Sequence, residues 1–319
     1  MSRLTIKKLA LAKIEATYGV DSNPTGSADT MVVIDPTFEP IYDSAERKVA
    51  HHYLGAQQSL HSPDRFAKLS FDAELAPSGV PGTPPPWGIF LRGCGIAETV
   101  TAGTRVEYNP ISDGHESITI YFFLDRVLRK MVGCRGNFDP TWMDAEIPIG
   151  KFSFTGIDAG IVEAGMPTPN FSSWATPQLV SLSNTPGLKF GSTYGAGALS
   201  GGSINPSRGL SVSMGNEVKN RRMISQHSVA IVNRKTTGSV QVELTAAEEI
   251  ELITSINANT LTSMSFEHGM GAGNKMAIFF PSVQRAAPKI VDQDGVAQMS
   301  VDLTKLPIAG NDDFRLILS

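Results

Sequence analysis

Two cysteines, Cys94 and Cys134, are all that the 319 residues contain. A disulfide scaffold needs more, and a zinc site needs closer spacing or histidines nearby. Both therefore read as buried free thiols of a protein made in a reducing cytoplasm. No run of about 18 apolar residues occurs, so no helical membrane span is expected. The opening residues 1–8 (MSRLTIKK) lack the apolar core of a signal peptide. An excess of positive charge is missing too: 27 basic against 31 acidic side chains leave a net −4. A nucleic-acid binder concentrates Lys and Arg on one face, and nothing here suggests it. Charged residues are only 18% while hydrophobic ones reach 41%, which excludes disorder and allows a buried core.

Catalytic and ligand-binding patterns are equally scarce. Residues 269–275 (GMGAGNK) imitate a phosphate loop, but Met276 replaces the Ser or Thr after Lys275 and a strand follows instead of a helix. A glycine-rich strand connection is the better reading. His51 and His52 are adjacent, so on a strand they point to opposite faces. With only His61 nearby, they read as surface or interface residues and not as ligands. Residues 292–295 (DQDG) begin like a calcium loop but lack its later acidic ligands, and Asp294-Gly295 suits a hairpin turn. There is no Gly-x-Ser-x-Gly elbow and no credible acid–base pair. The expectation is a non-enzyme without cofactor or metal.

What the chain does contain is alternation. Leu69, Phe71, Ala73 and Leu75 alternate with other residues, as do Phe152 and Phe154, Val240 and Val242, and Met299, Val301 and Leu303. Period two marks strands with one face on a core. Helix signals are few. Residues 245–256 (TAAEEIELITSI) open with Thr245 and carry Glu248 at capping-box spacing. A shorter candidate, residues 87–94 (WGIFLRGC), follows Pro86.

The alternating blocks recur in order. Ile34-Asp35-Pro36 matches Ile204-Asn205-Pro206, and residues 65–75 (RFAKLSFDAEL) match residues 234–244 (RKTTGSVQVEL), each followed by a helix candidate. Ile120-Tyr121-Phe122-Phe123 then matches Ala277-Ile278-Phe279-Phe280, and Lys151-Phe152-Ser153-Phe154 matches Gln298-Met299-Ser300-Val301. Four matches in one order predict a duplication, with domains at 1–169 and 170–319. The first copy would carry an insertion at residues 76–86 (APSGVPGTPPP), where extra length is cheap. The glycine-dense residues 187–202 read as a loop. Charge is unevenly shared: 15 basic and 20 acidic residues up to 169, then 12 and 11.

Three stretches carry a likeness. They are residues 9–25 (LALAKIEATYGVDSNPT) leading to Met31-Val32-Val33; residues 69–99, a strand, a Pro/Gly loop and residues 86–95 (PWGIFLRGCG); and Gly133-Cys134-Arg135-Gly136 followed by Ile147-Pro148 and residues 152–156 (FSFTG). In this order over residues 9–156 they resemble the tail tube proteins of long-tailed, non-contractile bacteriophages. The second half is similar only in organisation. The resemblance implies a mainly β chain of tandem β-sandwich or barrel tube domains with little flanking helix. It implies a structural subunit of the virion tail that assembles in the host cytoplasm. Rings of this subunit stack into a tube that conducts the genome. Two tube domains per chain further imply trimeric rings with pseudo-sixfold symmetry; the alternative is six chains per ring, with one domain lining the channel and the other outside. Implied partners are the chain itself, the tape measure protein in the lumen and tail-end proteins, with DNA passing without sequence-specific binding.

Candidate interface residues are basic or aromatic side chains set among apolar ones. Arg3, Lys7, Lys8 and Lys13 lie in an N-terminal stretch that either contacts another subunit or forms an edge strand of its own domain. Arg47, Lys48 and Tyr53 lie in residues 38–63, and Lys219, Arg221 and Arg222 in residues 208–233. Both long excursions are expected to meet neighbouring subunits or rings. Rival functions are the tube of a contractile injection machine, a carbohydrate- or receptor-binding β-sandwich, and a β-rich hydrolase. The second wants clustered aromatics, whereas Trp87, Trp142 and Trp174 are scattered; the third lacks its acid–base pair.

Overall fold

Strand alternation sets the inside and the outside of the protein. In residues 66–74 the side chains of Ala67, Leu69, Phe71 and Ala73 are buried, while Lys68 and Ser70 between them are exposed. Val240 and Val242, Phe152 and Phe154, and Met299, Val301 and Leu303 are likewise buried, as their spacing predicts.

The computed structural model describes residues 3–50, 52 and 54–319. Its first half contains β1 (Lys8–Ile14), β2 (Thr30–Met31), β3 (Ile34–Ile41), β4 (Ser44–Glu46), β5 (Ser59–His61), β6 (Phe66–Glu74) and α1 (Gly88–Gly93). There follow β7 (Ile96–Thr101), β8 (Arg105–Pro110), β9 (Ile118–Leu124), β10 (Val127–Met143) and β11 (Ile149–Glu163). The second half contains β12 (Gly187–Gly195), β13 (Ala198–Asn205), β14 (Ser207–Ser213), β15 (Asn216–Met223), β16 (Gln226–Arg234) and β17 (Thr237–Val242). It ends with α2 (Ala246–Asn257), β18 (Thr262–His268), β19 (Met276–Gln293), β20 (Val296–Lys305) and β21 (Arg315–Leu318). The chain is mainly β.

Every pairing is antiparallel, and the order is circular. In the first half neighbours run β1, β9, β10, β11, β6, β3. The circle closes through β2, which pairs with β1 and is separated from β3 by Val32 and Val33 alone. In the second half they run β12, β18, β19, β20, β17, β14, closing through β13, with Pro206 alone before β14. A strand that switches partners at a bend is how a small barrel turns its corner. Each barrel thus uses one bent strand, a hairpin inserted after it (β4–β5 or β15–β16), and a helix after the following strand. The β7–β8 hairpin and the terminal β21 have no counterpart in the other half.

The two barrels share one core. Phe71 packs on Phe90 of α1 at 4.8 Å between ring centroids, and Phe90 packs on Phe152 at 5.2 Å. From there rings run through Phe138 and Phe314 to Phe280, with centroid separations of 4.9, 6.5 and 6.0 Å. The path crosses from one barrel into the other. α2 has the capping box its sequence announces: Thr245 accepts from the Glu248 N–H, and Glu248 accepts from the Thr245 N–H. At Asp294 and Gly295 both φ angles are positive (53° and 85°) and Gln293 pairs with Val296, the predicted two-residue hairpin. Cys94 and Cys134 are buried free thiols, and burial pushes both thiol pKa values up.

Three readings change. Residues 187–202 are not a loop: they lie in β12 and β13, whose turn at Ala196-Gly197 has positive φ at both residues (51° and 85°). Here glycine serves a tight turn and a strand supported by β18 on its other side. The third sequence match joins β9 to β19, yet the strand in the place of β19 in the first barrel is β10. Consecutive apolar runs, buried on both faces, match each other whatever their rank. Last, the N-terminal stretch divides: residues 3–7 are exposed, whereas β1 is a sheet strand between β9 and β2 with Leu9 to Ala12 buried. Removal of β1 is therefore a folding defect and not an assembly test.

A buried lysine without a hydrogen-bond partner sits in the second barrel. Lys305 is 3% exposed, its Nζ has no hydrogen-bond partner and lies 5.0 Å from the Phe280 ring centre. Burial pushes its pKa down to about 7. An unfolded lysine titrates near 10.4, so between those values the unfolded state binds more protons and stability rises with pH. Urea unfolding should show that rise, by at most about 5 kcal/mol, and Lys305→Met should remove it while being more stable at pH 7. An unchanged pH dependence in the variant would contradict the assignment.

Candidate assembly interface

A strand edge needs partners for its N–H and C=O groups, and β10 finds them in two places. Along residues 127–134 one edge pairs with β9. After β9 ends, the same edge reaches the second barrel, where Thr141, Trp142 and Met143 pair with Ser211, Leu210 and Gly209 of β14. Between these points the Met214 N–H donates to the Phe138 carbonyl at 3.1 Å. The Asn216 amide donates to the carbonyls of Gly136 and Cys94 at 3.0 and 2.7 Å. One sheet thus passes from barrel to barrel.

Gly209 makes that approach possible. Its φ is +140°, and a Cβ there would lie 2.0 Å from the Trp142 carbonyl oxygen. The hairpin β15–β16 then folds back over the first barrel. Val229 N–H donates to the Tyr18 hydroxyl at 2.5 Å, and Arg135 donates to the carbonyls of Val229 (2.9 Å) and His115 (2.7 Å) while stacking on Tyr18 at 4.9 Å. Burial raises the Tyr18 hydroxyl and lowers the Arg135 guanidinium from their ordinary pKa values. On the far side of the junction, Glu107 of β8 accepts from Arg105, from Tyr194 of β12 and from Arg315 of β21. Burial alone would raise its carboxyl, but these hydrogen bonds and the Arg charges hold it below the usual glutamate range.

The sequence-selected residues fall into three groups. Arg3, Lys7, Lys8 and Lys13 are exposed in or before β1, and Lys8 Nζ reaches the Pro36 carbonyl of β3 at 3.4 Å. Arg47 and Lys48 are exposed just beyond β4; Tyr53 lies outside the described residues. Lys219 and Arg221 are exposed on β15, where Lys219 pairs with Glu217 at 2.8 Å. Arg222 is already engaged within the chain, with Asp43 at 2.6 Å and the Asp64 carbonyl at 2.7 Å. Residues 208–233 are thus not wholly an outward excursion: β14 lies in the sheet and the hairpin base is docked, leaving Ile224 at its tip 99% exposed. Sequence reasoning missed Gly209, Tyr18 and Arg135, because nothing local to them announces partners in the other half.

Among the strand edges left open in the described residues are those of β3 and of the end of β19. β3 pairs with β6 on one side only, and beyond Val283 β19 pairs with β20 on one side only. Ala286 to Ile290 are exposed, Ile290 at 70%. Trp87 and Trp142 are fully buried, so they form no surface for stacking a sugar. Among the described residues no helix is long and apolar enough to cross a membrane.

Residues 7–313 match the family model described as phage tail tube protein. No curated protein matches the chain.

Gly209→Ala should strain the junction, since the backbone conformation alone costs about 1–3 kcal/mol for a non-glycine residue and the carbonyl contact adds to it. Hydrogen exchange of the Trp142 and Asp144 amides, which face β14, should quicken in the variant. Unaltered exchange and stability would show that the junction does not depend on this approach.

Proposed function

The chain belongs to the phage tail tube protein family, and from that premise we propose that its two halves, 1–169 and 170–319, are duplicated tube domains occupying successive places in one ring. Membership makes it a structural component of the virion tail that assembles with itself into a tube. In the finer reading, three chains supply six barrels around a lumen, and the rings stack into the conduit through which the genome passes. DNA would cross it without sequence-specific contacts. The tape measure protein in the lumen and tail-end proteins would be its other partners, and assembly would take place in the host cytoplasm.

The observation that carries this is the β10–β14 junction between barrels with the same pairing order. Two units joined edge to edge by their sheets already have the relation that successive members of a ring need, and closure requires a whole number of chains. Charge adds a minor term. A half near −5 beside one near +1 repels less than two acidic halves would, although salt screens exposed charges.

Cryo-electron microscopy of the purified, assembled protein tests the reading. The expected map has threefold rings lined by strands from both halves. Sixfold rings lined by one half would overturn the stoichiometry, and a protein that stays monomeric at every concentration would overturn the assembly.

A further inference from the structure

The circular pairing order makes the inner junction a template for an outer one. In the first barrel the hairpin β10–β11 projects past β9, and its free edge is covered by β14 of the next barrel. In the second barrel β19–β20 holds the same rank and projects past β18 in the same way, but among the described residues no strand pairs with its projecting edge. Phe138, opposite Phe152 in the first hairpin, is fully buried by that arrangement; Ile290, opposite Met299 in the second, is 70% exposed. Conversely β14 has β17 on one edge and β10 on the other, whereas its counterpart β3 has only β6.

We propose that the projecting edge of β19 in one copy of this chain adds antiparallel to the open edge of β3 in a second copy, while the second copy's β4–β5 hairpin lies over the first copy's second barrel. This rests on the ring assembly proposed above and identifies the strands that close it. The occupant is a second copy because the chain carries both halves of the contact and already joins their counterparts to each other.

Backbone chemistry supports the match. The two-residue turn makes Gln293 and Val296 the closing hydrogen-bonded pair, so the N–H groups of Ile290 and Asp292 point away from β20. β3 contains Pro36 and Pro40, which strands tolerate where the missing N–H faces away from the ladder. Its open edge is therefore rich in carbonyls, and the edge of β19 brings to it the N–H groups of Ile290 and Asp292, Pro288 on the same edge having none. Two β3 edges facing each other would lack those donors, so the prolines disfavour that wrong pairing. Proline is no bar at such a place, since Pro140 lies in the same stretch of β10 that meets the second barrel. The hairpins agree in direction. β15–β16, inserted after β14, lies over the barrel that supplies β10, held by Tyr18 and Arg135. Both strands of its counterpart β4–β5, inserted after β3, are exposed throughout.

Register narrows the contact to the stretch around Glu39. Phe71 faces Phe152 in the first barrel, and Val240 faces Val301 in the second. The sequence matches would instead set Val240 against Met299, so strand equivalences hold to within one repeat of the pleat. All these registers bring Glu39 opposite one of Lys289, Val291 or Gln293.

The test pairs Glu39→Cys with Lys289→Cys, Val291→Cys or Gln293→Cys under mild oxidation, with the single variants as controls. The native thiols are buried and do not interfere. In assembled tubes at least one pair should link chains into a covalent species that ends at the ring number. No single variant should do so. In addition, Ile290→Pro should block assembly while leaving the melting temperature of the unassembled protein within a few degrees. Tubes that form without linking any pair, or that tolerate Ile290→Pro, overturn the strand assignment and leave ring assembly standing. Failure of the unsubstituted protein to assemble overturns both.

Discussion

Strand β10 is longer than the barrel to which it belongs. Past the last residue paired with β9, its backbone groups still need partners, because an unpaired edge kept from water is costly and one left in water invites association. β14 meets that need, and the meeting places the second barrel. The hairpin β15–β16 can then reach Tyr18 and Arg135, and β21 can reach β8. The Phe138–Phe314 contact, which makes two cores one, lies beside the same junction. The pairing of β21 with both β8 and β19 is a second sheet connection between the halves.

The same constraint explains the asymmetry of the molecule. The projecting edge of β10 is paired within the chain, whereas that of β19 and the outer edge of β3 have no strand partner among the described residues. In the proposed assembly these edges meet head to tail, and head-to-tail contacts give rings where the rotation closes and filaments where it does not. The prolines of β3 and the short strands β2, β4 and β5 limit what can pair there by accident. In the proposed assembly, specificity would come from combining one strand edge with one hairpin contact, each weak by itself.

Much of this was legible in the sequence. Alternation located β6, β11, β17 and β20, the capping box located α2, and Asp294-Gly295 located the hairpin turn, because each signal is written in neighbouring residues. Edges were not legible. Whether β1 is an edge or an inner strand depends on β2 and β9, far apart in the chain, and Gly209 is distinguished only by the Trp142 carbonyl opposite. The basic residues chosen as contacts are exposed for the most part, but exposure is common to charged side chains and does not identify a partner. Arg222 shows the difference, being held by Asp43 of its own chain.

Amide hydrogen exchange, followed before and after assembly, tests the central claim that the inner junction is repeated between chains. Trp142 and Asp144, whose N–H groups face β14, should be protected in the free protein already. Phe38, Ile290 and Asp292 should exchange quickly in the free protein and become protected to a similar degree once tubes form. Persistent rapid exchange at those three amides in assembled tubes would contradict the account.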